Sequence, residues 1–184
     1  MELTDSFLVA MMFVMMLSIG IASVLGGFGT IVQAPYQDFH WLPIAWMALV
    51  LFSHLDLFWH TVLIIAIDDW RFTGFLYMIC GPVLLFLASA VLIAESAKGD
   101  SVASLARYFS VSPYFFGLLA LLMLWTIGAD NALGQGSSIS AAQYVIEFAI
   151  FSALALCKNL RLHQLATVLT LMVVVTIVLA RGFG

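Results

Sequence analysis

The sequence predicts an all-α integral membrane protein, a bundle of about six transmembrane helices with a short interfacial helix between the third and fourth spans. Three observations carry that prediction. First, 64% of the 184 residues are hydrophobic and only 9% are charged, against roughly 45–50% apolar and about 25% charged in a soluble domain. Second, the mean hydropathy is +1.14, which implies more apolar surface than so short a chain could hide from water without leaving aggregating patches. Third, the apolar residues gather into runs of about 20, the length that crosses a bilayer core as a helix. No polar stretch between these runs is long enough for a soluble domain, so residues 1–184 read as one polytopic membrane domain whose first partner is the lipid bilayer.

The first span, residues 6 to 27, follows an acidic start with Glu2 and Asp5. A secretory signal would carry Lys or Arg there and a shorter apolar run, so this segment reads as a retained helix. Within it Ser18, Ala22 and Gly26 recur every four residues, a small-residue face that admits close approach of another helix, within the chain or between subunits. The second span, 41 to 66, places Pro43 in its first turn, where a missing N–H is tolerated. The third, 72 to 94, contains Pro82 beside Gly81, which predicts a kink and a freed carbonyl that a neighbouring helix or water must satisfy.

Between 98 and 110, Val102, Leu105, Ala106 and Phe109 recur at helical spacing after a potential cap at Asp100 or Ser101. This pattern predicts the short amphipathic helix in the interface. The fourth span, 113 to 129, opens on Pro113 with Ser112 as its N-cap, and the fifth, 140 to 157, opens on Ser140 and Gln143 at capping-box spacing. On the sixth, 163 to 181, His163, Thr167 and Thr170 share a face where the Thr hydroxyls can bond back to their own backbone. The loops 26 to 39 and 130 to 138 carry no Lys or Arg, and the second is Gly/Ser-rich, which predicts flexibility.

With six spans, Lys98, Arg107, Lys158 and Arg161 fall on one side of the membrane and Arg71 and Arg181 on the other. The positive-inside rule then places both termini outside the cytoplasm, across the cell (inner) membrane. Trp41, Trp46, Trp70, Tyr36 and Tyr114 lie near span ends and are expected at headgroup depth. The net charge of −4 comes with no Lys/Arg cluster, which excludes nucleic-acid binding. Cys80 and Cys157 sit in or beside apolar runs, where cysteine is a packing residue and says nothing of redox compartment.

Chemistry concentrates in two spans. In the second, Ser53, Asp56 and His60 fall on one stripe, with Asp56 and His60 spaced to hydrogen-bond directly, while His54 points about a quarter-turn away. In the fifth, Ser140, Gln143, Tyr144 and Glu147 share a face, and Glu147 lies about two turns inside. Asp56 and Glu147 are the carboxylates deep in the spans, and no Lys or Arg lies at that depth to neutralise them. They must be protonated, hydrated, paired with His or neutralised by a cation.

That combination favours a channel or carrier subunit passing protons or small cations along Ser53, His54, Asp56, His60, Tyr144 and Glu147, in a homo-oligomer or with a membrane-complex partner. The competing reading is a non-transporting subunit whose polar stripes are interhelical glue. A haem- or metal-dependent membrane enzyme stands third. His40, His54, His60 and His163 suffice in number for a haem or metal, yet His54 and His60 cannot ligate one centre from the same face. No cofactor is predicted, a haem or metal is left open, and metalloprotease, phosphate-loop and nucleophile-elbow motifs are absent from the sequence.

Overall fold

The structure, a computed structural model, describes residues 5–33, 40–67, 70–96, 101–134 and 136–182. Tyr36, Lys98 and Asp100 lie outside the described residues. The described chain is all helix and turn, with α1 at Asp5–Gln33, α2 at Trp41–Trp59, α3 at Thr61–Ile65, α4 at Phe72–Ser96, α5 at Ser101–Ala132, α6 at Ser138–Leu156 and α7 at Leu160–Gly182. Helix α3 continues α2 after a break at His60, so six rods result.

Four of these rods are long and apolar enough to cross a membrane, namely Asp5–Gln33, Trp41–Ile65, Phe72–Ile93 and Leu105–Ala132. Ser140–Leu156 and Leu160–Thr176 are shorter apolar helices. Outward faces stay apolar, with Met15, Leu25, Leu124, Ile146 and Met172 among the exposed side chains. Such a surface suits lipid, where apolar groups need no cover and only backbone polar groups must be satisfied internally.

Helix α5 is the central element, packing on α4 along one side and on α6 along the other, while α1 lies against α4, α2 and α3. Its 32 residues amount to ~48 Å, well beyond the ~30 Å hydrocarbon core. The expected interfacial helix at 98 to 110 is therefore not a separate element, since from Ser101 onward it runs straight into the fourth span. Pro113 lies inside the helix and Ser112 is not its N-cap. Proline has no N–H for the carbonyl of Phe109, and the Ser112 hydroxyl donates to that carbonyl at 3.3 Å instead, so the turn survives.

Three more boundaries differ from the sequence reading. Helix α1 extends to Gln33 rather than ending near 27, and α5 extends to Ala132, ending where Gly134 takes a φ of +68°. Helix α6 starts earlier than expected. Ser137 is its N-cap, and Ser137 and Ser140 exchange the two hydrogen bonds of a capping box at 3.0 Å, which frees Gln143.

The core is aromatic. Trp46, expected at headgroup depth, is instead buried edge-on against Phe115, Phe116 and Phe151, whereas Trp41 and Tyr114 are exposed. Ser18, Ala22 and Gly26 are exposed, and a methyl group on Gly26 would meet open space. The opposite face of α1, with Phe13, Leu17, Gly20, Val24 and Gly27, is the one that packs. The Ser6 hydroxyl donates to the Ile67 carbonyl and ties the start of α1 to the end of α3.

Candidate functional site

Helices α2, α5, α6 and α7 enclose a cavity of about 680 Å³. It exists because α7 packs sparingly on α2 and α6 while α6 packs closely on α5. Ser53 and Asp56 reach it from α2, and Tyr144, Glu147 and Gln143 from α6. Two carboxylates far apart in sequence are thereby brought to one space. Among the described residues lining it there is no Lys, Arg or His.

The local helix chemistry makes this space electronegative. Ser53, Thr126 and Thr170 each spend their hydroxyl hydrogen on a carbonyl of their own helix, at 3.0, 2.9 and 2.9 Å. Their oxygens therefore remain as acceptors only. Gln143 spends an amide hydrogen on Glu147 Oε1 at 2.9 Å, as its release from the cap allows. Asp130, Glu147 and Asp56 all lie near enough to the Tyr144 phenol to act on it electrostatically. Acceptor oxygens thus outnumber uncommitted donors around the cavity.

The two histidines of the expected path lie elsewhere. His60 does not line the cavity. Its Nδ1 is 3.8 Å from Asp56 Oδ2, beyond a hydrogen bond, and lies 2.7 Å from the Asp56 backbone carbonyl, where it closes the end of α2. His54 is fully buried on the α1 side, with Nδ1 2.8 Å from the Val50 carbonyl and Nε2 packed against Gly20. A carbonyl can only accept, so in each ring Nδ1 is the donor.

His163 is fully committed. The Tyr108 hydroxyl lies 2.9 Å from its Nδ1 and the Cys157 carbonyl 2.8 Å from its Nε2, which makes Nε2 the donor and Tyr108 the donor to Nδ1. Thr167 and Thr170 bond back to the His163 and Ala166 carbonyls, as their spacing predicts. Among the described residues no three His, Cys, Asp or Glu side chains group so as to hold a metal ion.

Asp130 is the site residue that the sequence reading missed. It follows an apolar run and opens a polar one, so it resembles the first residue of a loop, yet it belongs to the last turn of α5. Its spacing of four from Thr126 was the available signal, because it puts both on one face of a continued helix. Comparison with known proteins found no matching family, no matching curated protein and no matching solved structure.

Proposed function

We propose that this chain is a six-span protein of the inner membrane and a channel or carrier subunit for protons or small cations. The path runs through the cavity between α2, α5, α6 and α7, with Asp56 and Glu147 as its charged groups and Ser53 and Tyr144 as neutral ligands. The observation that carries this reading is the meeting of two carboxylates from different helices at one cavity, among whose described lining residues there is no Lys, Arg or His. Two carboxylates lining one cavity concentrate negative charge there, which attracts a mobile cation or proton. The apolar stretches of α6 and α7, at ~26 Å each, fall a little short of a ~30 Å core, a mismatch that local thinning absorbs at modest cost.

The test is flux in reconstituted vesicles. Asp56→Asn and Glu147→Gln keep the size and much of the hydrogen bonding of the originals but cannot ionise. Each should abolish proton- or cation-driven signals while leaving the unfolding temperature within a few degrees of the original. Wild-type flux in both variants, or no flux in the unaltered protein under any gradient, sinks the proposal.

One observation favours a second reading, in which the chain is a non-transporting subunit held in a larger complex. The row Ser18, Ala22 and Gly26 is exposed on the outer side of α1, where a foreign helix could approach closely. Purification in mild detergent as a stoichiometric complex with a different chain, together with silent amide variants, is the outcome that reading requires.

A further inference from the structure

The cavity is not uniform along its length. Trp46 and Asp56 are about three turns apart on α2, ~15 Å, and both line it. Trp46 packs against Phe151 of α6, so these two mark the same level, an aromatic floor. Asp56 and Tyr144 lie towards the opposite end, and Glu147 stands about one turn from Phe151 on α6, between them and the floor. Between floor and mouth the walls are aliphatic, with Leu122 on α5 and Leu165 and Leu169 on α7.

Leu165 and Leu169 line the cavity and are still 61% and 52% exposed, so the space opens beside α7 onto the surface that faces lipid. An apolar wall of this extent offers contacts to an organic body as well as a charged end. The volume of about 680 Å³ falls within the roughly 300–1,000 Å³ range of cavities that take drug-sized molecules.

We propose that the cavity binds a lipophilic organic monocation, an ammonium- or phosphonium-type head on an apolar body, that enters from the bilayer beside α7. The positive head sits at Asp56, Glu147 and the Tyr144 ring, and the apolar body extends towards Trp46 and Phe151, whose rings add dispersion contacts. Charge complementarity selects this occupant over a phospholipid. An anionic phosphate would meet two carboxylates and hydroxyls whose hydrogens are already donated, with no basic side chain among the described lining residues. The inference rests on the cation-path reading for the role of its acidic end, and it names the substrate class of that path.

The experiment is equilibrium binding of radiolabelled tetraphenylphosphonium to the full chain in lipid nanodiscs, run beside inorganic-cation and proton flux in vesicles. Saturable binding is expected for the unaltered protein. It should weaken by about tenfold or more when Asp56→Asn and Glu147→Gln are combined, since removing a desolvated charge partner costs at least the ~1.4 kcal/mol that a factor of ten represents. Leu122→Trp, which narrows the apolar length without touching the carboxylates, should weaken binding by a similar factor and guards against a double variant that fails to fold. Binding that is absent from the unaltered protein, as when a retained phospholipid or a second copy fills the gap, overturns the proposal. So does binding unchanged in both variants. Flux of protons or inorganic cations without phosphonium binding would refute this substrate class and leave the path standing, whereas binding without flux of any cation would remove the path and leave the site.

Discussion

Tyr77 and Trp125 exchange two hydrogen bonds across the α4–α5 interface. The Trp125 indole N–H donates to the Tyr77 carbonyl at 2.6 Å, and the Tyr77 hydroxyl donates to the Trp125 carbonyl at 2.8 Å. Pro82, inside α4, has no N–H for the carbonyl of Met78 next to this clasp, while the Trp125 donor goes to the Tyr77 carbonyl. Gly81 and Gly128 make room for the clasp, because a methyl group at either would overlap the Trp125 ring or the Tyr77 hydroxyl.

Tyr77→Phe and Trp125→Phe should therefore each destabilise the protein by about 0.5–1.5 kcal/mol for the lost bond, and Gly81→Ala by more, about 1–3 kcal/mol, through overpacking. Equilibrium unfolding in detergent measures all three. A Tyr77→Phe variant as stable as the original would show that the clasp is idle.

Two small residues of α1 should behave oppositely. A methyl group on Gly20 would overlap His54 Nε2, whereas Ala22 is exposed. Gly20→Ala should lower the unfolding temperature of the isolated chain, because backbone and a buried ring must separate. Ala22→Leu should leave that temperature alone and change only the size of any oligomer, since its face is free to meet a second helix. Size-exclusion and thermal unfolding on the pair distinguish them. An unchanged size for Ala22→Leu means that the face is turned to lipid.

Four of the six expected spans coincide with helices long and apolar enough to cross a membrane, and they were legible because the bilayer imposes a length and an apolar content that few other environments would favour; the last two helices are shorter. Ends and faces were harder to read. Ser112-Pro113 looks the same whether it caps a helix or patches one, because the serine hydroxyl can serve an N–H or a carbonyl. Trp46 near a span end fits either the headgroup layer or the core, and only the partners Phe115, Phe116 and Phe151 decide. The stripe through Ser53 and Asp56 was found by spacing alone. His60 left it because α2 breaks there, and nothing in the spacing announces that break.

The Tyr108–His163 pair joins the start of α7 to α5 at a fully buried position. Removing the phenol hydroxyl leaves His163 Nδ1 as a buried acceptor without its donor, a change worth about 1–3 kcal/mol. Tyr108→Phe should accordingly destabilise the protein by that amount, while His163→Phe, which removes both polar groups of the ring, should cost less than His163→Ala. Equal loss in the two His163 variants would mean that the site is governed by volume and not by the hydrogen bond.

If all six helices cross, Lys98, Arg107, Lys158 and Arg161 fall on one side and Arg71 and Arg181 on the other, and the positive-inside rule sets the orientation to be tested. Reporter fusions should place both ends outside the cytoplasm. A cytoplasmic signal at Gly184 reverses the orientation, and opposite sides for the two ends rule out an even number of spans.

Tyr144 separates a proton relay from an ion path. Its ring lines the cavity with Asp56 and Glu147, and Asp130, Glu147 and Asp56 all act on its hydroxyl electrostatically. A proton moves by hops along O–H groups, so deleting one hydroxyl interrupts the chain, whereas a metal cation needs only enough acceptor oxygens around it. Tyr144→Phe removes that single oxygen and leaves Asp56, Glu147, Ser53, Thr126 and Thr170 in the lining. If protons are carried, the loss of a hydrogen bond to a charged group, about 1.5–3 kcal/mol, slows flux by about ten- to a hundredfold. If sodium or potassium is carried, flux should change by about threefold or less, because a neutral ligand among several is the smallest part of the stabilisation. Parallel measurements with a pH-sensitive dye and with an alkali-cation dye in the same vesicles give the two fluxes. Equal slowing of both would show that Tyr144 acts by holding α5 and α6 together, and the unfolding temperature of the variant should then fall with the flux.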